Sequence, residues 1–304
     1  MRRIFLLTLI LNGCFIFSQT LLAQNKDLFP KSNAKPIIDS AAIINWPYLN
    51  TEPSISNNGA FFSYGVFTKS GGQVLIIQST GDSARLEVSG ASQICFSNDS
   101  KKFVYARNDS LFFLSLSDYS LLNITDRVSS WKQPKVNTGR WLAWQQSDSS
   151  NTLLVHDLTT GRNKKVANVA DYSFDDQGEV LVIKSMDDSL VWLNLVAGTS
   201  SIIRSPDPEN AASVISYSFD KASTQLVVII GLRTDQGSEH EIWYYRVGMK
   251  GAKMMANNRT EGKDAGLFIG SSANFSNDGR YIYASLQPGP DRSPEPGYVK
   301  VDIC

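Results

Sequence analysis

One short phrase recurs along this 304-residue chain and limits what it can fold into. Its clearest copy is Phe275-Ser276-Asn277-Asp278-Gly279, followed by Arg280-Tyr281-Ile282-Tyr283-Ala284. Asn277 and Asp278 supply side chains that bond their own backbone, and Gly279 is free to take positive φ. The residues after the turn alternate as in a strand, with Tyr281, Tyr283 and Ser285 on one face and Ile282 and Ala284 on the other. Each copy therefore predicts a hairpin.

Other copies are Ile55-Ser56-Asn57-Asn58-Gly59 before Phe61 to Tyr64, and Phe96-Ser97-Asn98-Asp99-Ser100 before Phe103 to Ala106. A weaker one is Val136-Asn137-Thr138-Gly139 before Trp141 to Trp144. Then come Phe174-Asp175-Asp176-Gln177-Gly178 and Phe219-Asp220-Lys221-Ala222-Ser223, each leading into an apolar run. Phe96, Phe174, Phe219 and Phe275 share one repeat position, which predicts equivalent buried sites between neighbouring sheets. From first positions 55, 96, 136, 174, 219 and 275, the steps are 41, 40, 38, 45 and 56 residues. That spacing is close to the roughly 40-residue period of propeller blades. A second glycine follows the turn glycine after 22, 22 and 20 residues (59 to 81, 139 to 161, 178 to 198). It sits beyond the apolar strands Val74–Ile77, Leu153–Leu158 and Leu190–Leu193, and Leu111–Leu114 and Ile242–Tyr245 fill the same slot elsewhere. Two landmarks per repeat suit four antiparallel strands. The expected fold is all-β: a β-propeller of six recognisable four-stranded blades, the last cut short.

Charge excludes one class of partner. Lysine plus arginine number 29 and aspartate plus glutamate 29, so no electrostatic footprint for nucleic acid is present. At the N-terminus, Arg2-Arg3 precede two apolar runs, Ile4 to Leu11 and Phe15 to Leu22, ending at Ala23-Gln24. Residues 1–24 read as a signal peptide cleaved near Ala23, which predicts an exported, periplasmic or extracellular protein with no membrane span after cleavage. Leu11-Asn12-Gly13-Cys14 faintly resembles a lipoprotein box, the minority reading, and an uncleaved anchor is a third. Residues 25–45 read as a flexible lead-in and 46–304 as the propeller. Cys95 and Cys304 are too isolated for a disulfide framework or metal spacing, and Cys95 reads as a small buried hydrophobe.

The irregular pieces are few. Ser205–Pro208 reads as a loop between blades, Gly231–Glu239 as a long polar hairpin loop, and Lys250–Ser271 as the insertion that lengthens the last step. Gln287–Gly297, with four prolines, reads as a connector before a fresh strand, Tyr298–Asp302.

Chemistry is harder to find. No G-x-S-x-G elbow exists; Gly270-Ser271-Ser272-Ala273-Asn274 fails at its last position and reads as loop. His156 reads as a strand histidine bonded to backbone. Glu239-His240-Glu241 cannot converge on a metal, because adjacent strand residues point to opposite faces. The Asp-rich turns lack the ligand spacing of a calcium loop. Asn98, Asn108, Asn123, Asn258 and Asn274 lie in N-x-S/T sequons. No catalytic, metal or cofactor-binding residue is assigned, and no cofactor is expected.

The Phe275–Tyr283 phrase, repeated with its second glycine, resembles the propeller repeats of TolB-like proteins and of the prolyl oligopeptidase family. Ile37-Ile38-Asp39-Ser40, Trp46-Pro47 and Pro53–Gly59 look like the start of exported prolyl-oligopeptidase-like serine peptidases. In that family a propeller caps an α/β-hydrolase domain carrying Ser, Asp and His, and filters substrates by size. No position here matches the nucleophile, acid or base, so none is carried over. The resemblance implies a non-catalytic propeller whose partner is a missing catalytic α/β-hydrolase domain, with peptide substrates passing its channel. The alternative is a stand-alone envelope propeller binding protein partners, as in TolB-like proteins. A propeller glycosidase or lyase is a third reading, without a carboxylate pair to carry it.

Overall fold

The computed structural model describes residues 48–50, 52–68, 72–136, 139–207, 212–234, 237–262, 264 and 266–288. The signal, lead-in and Tyr298–Asp302 expectations lie outside the described residues, as does most of the proline-rich connector.

Every regular element among the described residues is a strand, and no helix there could cross a membrane. Sheet 1 holds β1 (Tyr48–Leu49), β2 (Ser54–Ile55), β3 (Phe61–Phe67), β4 (Gln73–Ser79) and β5 (Arg85–Ser89). Sheet 2 is β6 (Ala91–Phe96), β7 (Lys102–Arg107), β8 (Ser110–Ser115) and β9 (Leu121–Thr125). Sheet 3 is β10 (Val128–Lys132), β11 (Trp141–Gln146), β12 (Leu153–Asp157) and β13 (Asn163–Val166). Sheet 4 is β14 (Val169–Phe174), β15 (Val180–Ser185), β16 (Leu190–Asn194) and β17 (Ser200–Arg204). Sheet 5 is β18 (Ser213–Phe219), β19 (Gln225–Thr234), β20 (Gly237–Arg246) and β21 (Lys253–Ala256). Sheet 6 is β22 (Leu267–Phe275) with β23 (Ile282–Pro288). Strands pair antiparallel in chain order, except that β1 and β2 both pair with β3; this is the meander of propeller blades.

The recurring phrase is the turn between the first and second strands, and its chemistry is visible. In sheets 1, 2 and 6 a serine hydroxyl (Ser56, Ser97, Ser276) accepts the backbone N–H five residues on, at 3.0, 2.9 and 3.0 Å. Each also donates to the side chain two residues on, Asn58, Asp99 or Asp278, at 2.9, 2.6 and 2.6 Å. Sheets 4 and 5 put aspartate there instead: buried Asp175 accepts from Val180 N and Asp220 from Gln225 N, both at 2.7 Å. Serine and aspartate solve one problem, an acceptor for the second strand's leading amide.

Period-2 alternation then assigns each face. In β19, Leu226, Val228 and Ile230 pack toward sheet 4, while Val227 and Ile229 pack toward sheet 6. In β15, Leu181 and Ile183 face sheet 3 while Val182 faces sheet 5. Covered on both faces, these strands read as unbroken apolar runs. Five buried clusters join the six sheets in chain order, 1 to 2 through 5 to 6. Cys95 is buried in the cluster between sheets 2 and 3, where burial pushes its thiol up to about 12.

Three expectations need correction. Gly231–Glu239 is not one long loop: β19 runs on to Thr234 and β20 begins at Gly237, so the two form an extended ribbon. Gly270–Asn274 is not loop either; it lies inside β22, where pairing with β23 breaks register between Ile269 and Ala273. A β-bulge at this point recurs in the first strands of sheets 2, 3, 4 and 5, so it belongs to the repeat. Lastly, Phe96, Phe174, Phe219 and Phe275 occupy one structural position, but only Phe96 and Phe174 are fully buried. Phe219 rests half-buried against Trp192 with ring centroids 5.6 Å apart, and Phe275 against Tyr244 at 6.4 Å.

Candidate functional site

The first strands converge and are stitched by polar side chains. Gln133 donates to the Ile94 carbonyl, joining sheets 3 and 2 at 3.3 Å. Lys132 Nζ meets Asp171 Oδ1 at 2.8 Å and also donates to the Tyr172 carbonyl, while lying 4.7 Å from the centre of the Tyr172 ring. Tyr217 OH donates to Asp171 Oδ2 at 3.2 Å, linking sheets 5 and 4. Ser216 Oγ donates to the Ser271 carbonyl at 2.6 Å and Ser218 Oγ to Asn274 Oδ1 at 3.1 Å, linking sheets 5 and 6. Hydroxyls of sheet 5 donate three of these contacts. Burial first, then the Asp171 charge, pushes the Tyr217 phenol far above its ordinary value, so it serves as a fixed donor. Burial likewise pushes Tyr172 up to about 12.

Where these strands end, their turns enclose a cavity of about 470 Å³. Lys135 from sheet 3, Ser173 and Asp176 from sheet 4, Tyr217 and Lys221 from sheet 5, and Asn274 from sheet 6 give it a polar wall. Phe174, Phe219 and Phe275 add aromatic surface. Lys135 and Asp176 form an exposed ion pair at 3.1 Å. The wall thus offers donors, acceptors and both signs of charge around apolar rings.

The histidines lie elsewhere. His156, on β12, packs its ring against Phe113 at 5.4 Å and Trp144 at 5.8 Å, and its Nδ1 meets Asn163 Oδ1 at 2.7 Å. Its partner is thus a side chain rather than backbone. Burial lowers its pKa despite that hydrogen bond, which favours the neutral ring. His240 Nδ1 meets the Ile269 carbonyl at 2.9 Å, and neighbouring Glu241 accepts from Trp243 Nε1 at 2.8 Å. Among the described residues neither imidazole pairs with a serine hydroxyl or a carboxylate.

Sequence reasoning treated the turn phrase as turn chemistry alone and missed the wall residues Lys135, Asp176, Tyr217, Lys221 and Asn274. The available signal was positional. Ser173, Tyr217 and Asn274 stand one or two places before the recurrent Phe, and Asp176 and Lys221 two places after it.

No protein-family profile matches the chain, and no curated protein matches it. Solved structures similar to it include the tricorn protease, at 16% identity and TM-score 0.44, covering 82% of this chain and 25% of that one. The β-propeller domain of the trilobed protease from Pyrococcus furiosus is 13% identical with TM-score 0.40, over 79% of this chain and 78% of that one. Prolyl oligopeptidase B from Galerina marginata is 17% identical with TM-score 0.40, over 78% of this chain and 38% of that one. The chain spans about a quarter of the tricorn protease it matches. The propeller organisation of this chain is read from its own consecutive antiparallel sheets.

Proposed function

We propose that this chain is a non-catalytic β-propeller that caps and size-filters access to the active site of a prolyl-oligopeptidase-like serine peptidase. One observation carries the reading. The first strands of sheets 4, 5 and 6 end around a polar, aromatic-lined cavity, while both histidines are engaged in packing elsewhere. Peptide-like groups can be held there by Lys135, Lys221 and Asn274, and by the Tyr217 hydroxyl oxygen as an acceptor, its own proton going to Asp171; neither histidine lines the cavity. The catalytic partner in this reading is an α/β-hydrolase domain outside the sequence given. Export is part of the proposal too, on the strength of Arg2-Arg3 and the two apolar runs that follow.

Two measurements test it on the purified chain. Hydrogen exchange with proline-containing peptides of increasing length should show protection at Tyr217–Lys221 and Asn274–Asn277 for short peptides, fading for folded ones. A serine-reactive fluorophosphonate should label no single site, and a chromogenic prolyl peptide should stay intact. Specific labelling of one serine, abolished by substituting His156 or His240, would replace the gate with an enzyme. Absence of protection by any peptide would remove the filter.

A further inference from the structure

A second groove, separate from the cavity at the ends of the first strands, runs between sheets 3 and 4 and measures about 370 Å³. Arg140 enters it from the turn between β10 and β11, Arg162 from the turn between β12 and β13, and Lys164 from β13 itself. Lys164 pairs across the ladder with Val155, which packs toward sheet 4, so period-2 alternation turns Lys164 and Arg162 to that same face. The opposite wall is the turn Asn194–Gly198 of sheet 4.

Three cations and one carboxylate line the groove. That carboxylate, Asp157, is buried, and its Oδ1 already accepts the N–H groups of Thr159 and Thr160 at 2.9 and 3.1 Å. Its Oδ2 lies 3.8 Å from Arg140 Nε. Arg162 and Lys164 are exposed, with no ion pair among the described residues. The Arg140 guanidinium sits over the Trp141 ring at 5.1 Å, which restrains a side chain that would otherwise sample many rotamers. Trp141 also lines the groove, and its Nε1 is buried without an acceptor among the described residues.

The repeat does not require these charges. The residue whose carbonyl accepts the last amide of the third strand is Arg162 in sheet 3, but Ala84, Ser120 and Thr199 in sheets 1, 2 and 4. Cations at this place therefore distinguish sheet 3 from its neighbours.

We infer that the groove between sheets 3 and 4 binds an acidic peptide segment, its carboxylates held by Arg140, Arg162 and Lys164. Charge complementarity selects an anion. β13 selects a peptide, because it is the last strand of its sheet and leaves an edge to which an extended backbone can add hydrogen bonds. A nucleic acid needs a broader cationic track than three side chains on a chain of zero net charge.

Fluorescence anisotropy of a labelled, Glu-rich decapeptide on the full chain tests this. Replacing every Glu by Gln should weaken binding by about tenfold or more, and raising salt should weaken the Glu peptide further. The double substitution Arg162→Ser and Lys164→Ser should lower affinity by about tenfold with an unchanged thermal midpoint, since both side chains are exposed. Lys101→Ser, on sheet 2, should change nothing. Equal binding of the Gln peptide, or full affinity in the double variant, overturns the site. Stronger self-association of that variant with unchanged peptide affinity would show that the cations only guard the β13 edge. Tighter binding of a ten-nucleotide single strand through the same residues overturns the choice of ligand.

Discussion

β7 and β23 follow the same turn phrase and form the same hairpin, yet they live in opposite surroundings. Phe96 pairs with Phe103 and Cys95 with Val104; Phe275 pairs with Ile282 and Asn274 with Tyr283. Val104 has no exposed surface, and its counterparts Val182 and Val227 are 0% and 1% exposed, whereas Tyr283 is 65% exposed. Ile282 and Ala284 do pack, against the cluster between sheets 5 and 6. Tyr281 and Tyr283 turn to the other side, where no buried cluster covers them among the described residues. The turn phrase therefore makes a hairpin by local chemistry alone. What makes it a core strand is a sheet on each side.

The largest consequence is a difference in stability between a residue of the covered hairpin and one on the uncovered side of the last. Phe103→Ala empties a site sealed between sheets 1 and 2 and should cost about 3–5 kcal/mol. Tyr283→Ala should stay within about 0.5 kcal/mol, as exposed substitutions do. Urea melts of both variants check this, and a Tyr283 variant as damaged as the Phe103 one would erase the contrast.

A smaller contrast separates the turn glycines. Gly139 has φ of +96°, and a Cβ there would run into the Phe96 carbonyl oxygen and lie 2.9 Å from Asn98 N. Its own carbonyl accepts from Asn98 N at 2.7 Å, tying the turns of sheets 3 and 2 together. Gly279, at φ +70°, would meet side chains alone, the flexible end of Gln225 at 3.1 Å and Asp220 Oδ2 at 3.4 Å. Gly139→Ala should thus cost about 3 kcal/mol or more, and Gly279→Ala about 1–2, the left-handed strain alone. Thermal melts order the two.

The smallest effect is pH dependence. His156, packed between sheets 2 and 3, has its pKa lowered by burial, so the unfolded chain holds the extra proton between that lowered value and about 6.5. Stability should therefore rise with pH through that window and fall as pH drops below about 6.5. Asp278, in the exposed turn of sheet 6, is lowered mainly by the Ser276 hydroxyl, and loses its contribution only as pH falls through its own lowered value. His156→Gln should flatten the urea midpoints across the first window and leave the acid limb intact. An unchanged slope would show that His156 does not sense burial.

Much of the fold was legible because its signals are local. The serine or aspartate before the turn, the Asx side chain and the glycine act within five residues, and their spacing gave the strand count of sheets 2 to 5. Gly161 and Gly198, the second landmarks, do sit at positive φ in the turns between third and fourth strands. The errors fell where neighbours decide. Gly231–Glu239 is polar enough to resemble loop, but ladder pairing between Gly231 and His240 or Leu232 and Glu239 holds it extended. Gly270 escaped as strand because bulged backbone lacks alternation; its Cα lies so close to Ser285 that a side chain would collide with it.

By itself, then, the sequence determined the hairpins, their antiparallel order and the two-sided burial of runs such as Leu226–Ile230, since turn chemistry and period-2 alternation are properties of adjacent residues. Only tertiary structure decided which equivalent residues are buried, and which side chains from different repeats share a wall. Lys135, Tyr217 and Asn274 surround one cavity, and Arg140 and Arg162 flank another. The reason is that burial and proximity depend on the stacking of whole sheets, whose members lie some forty residues apart and share no local signal.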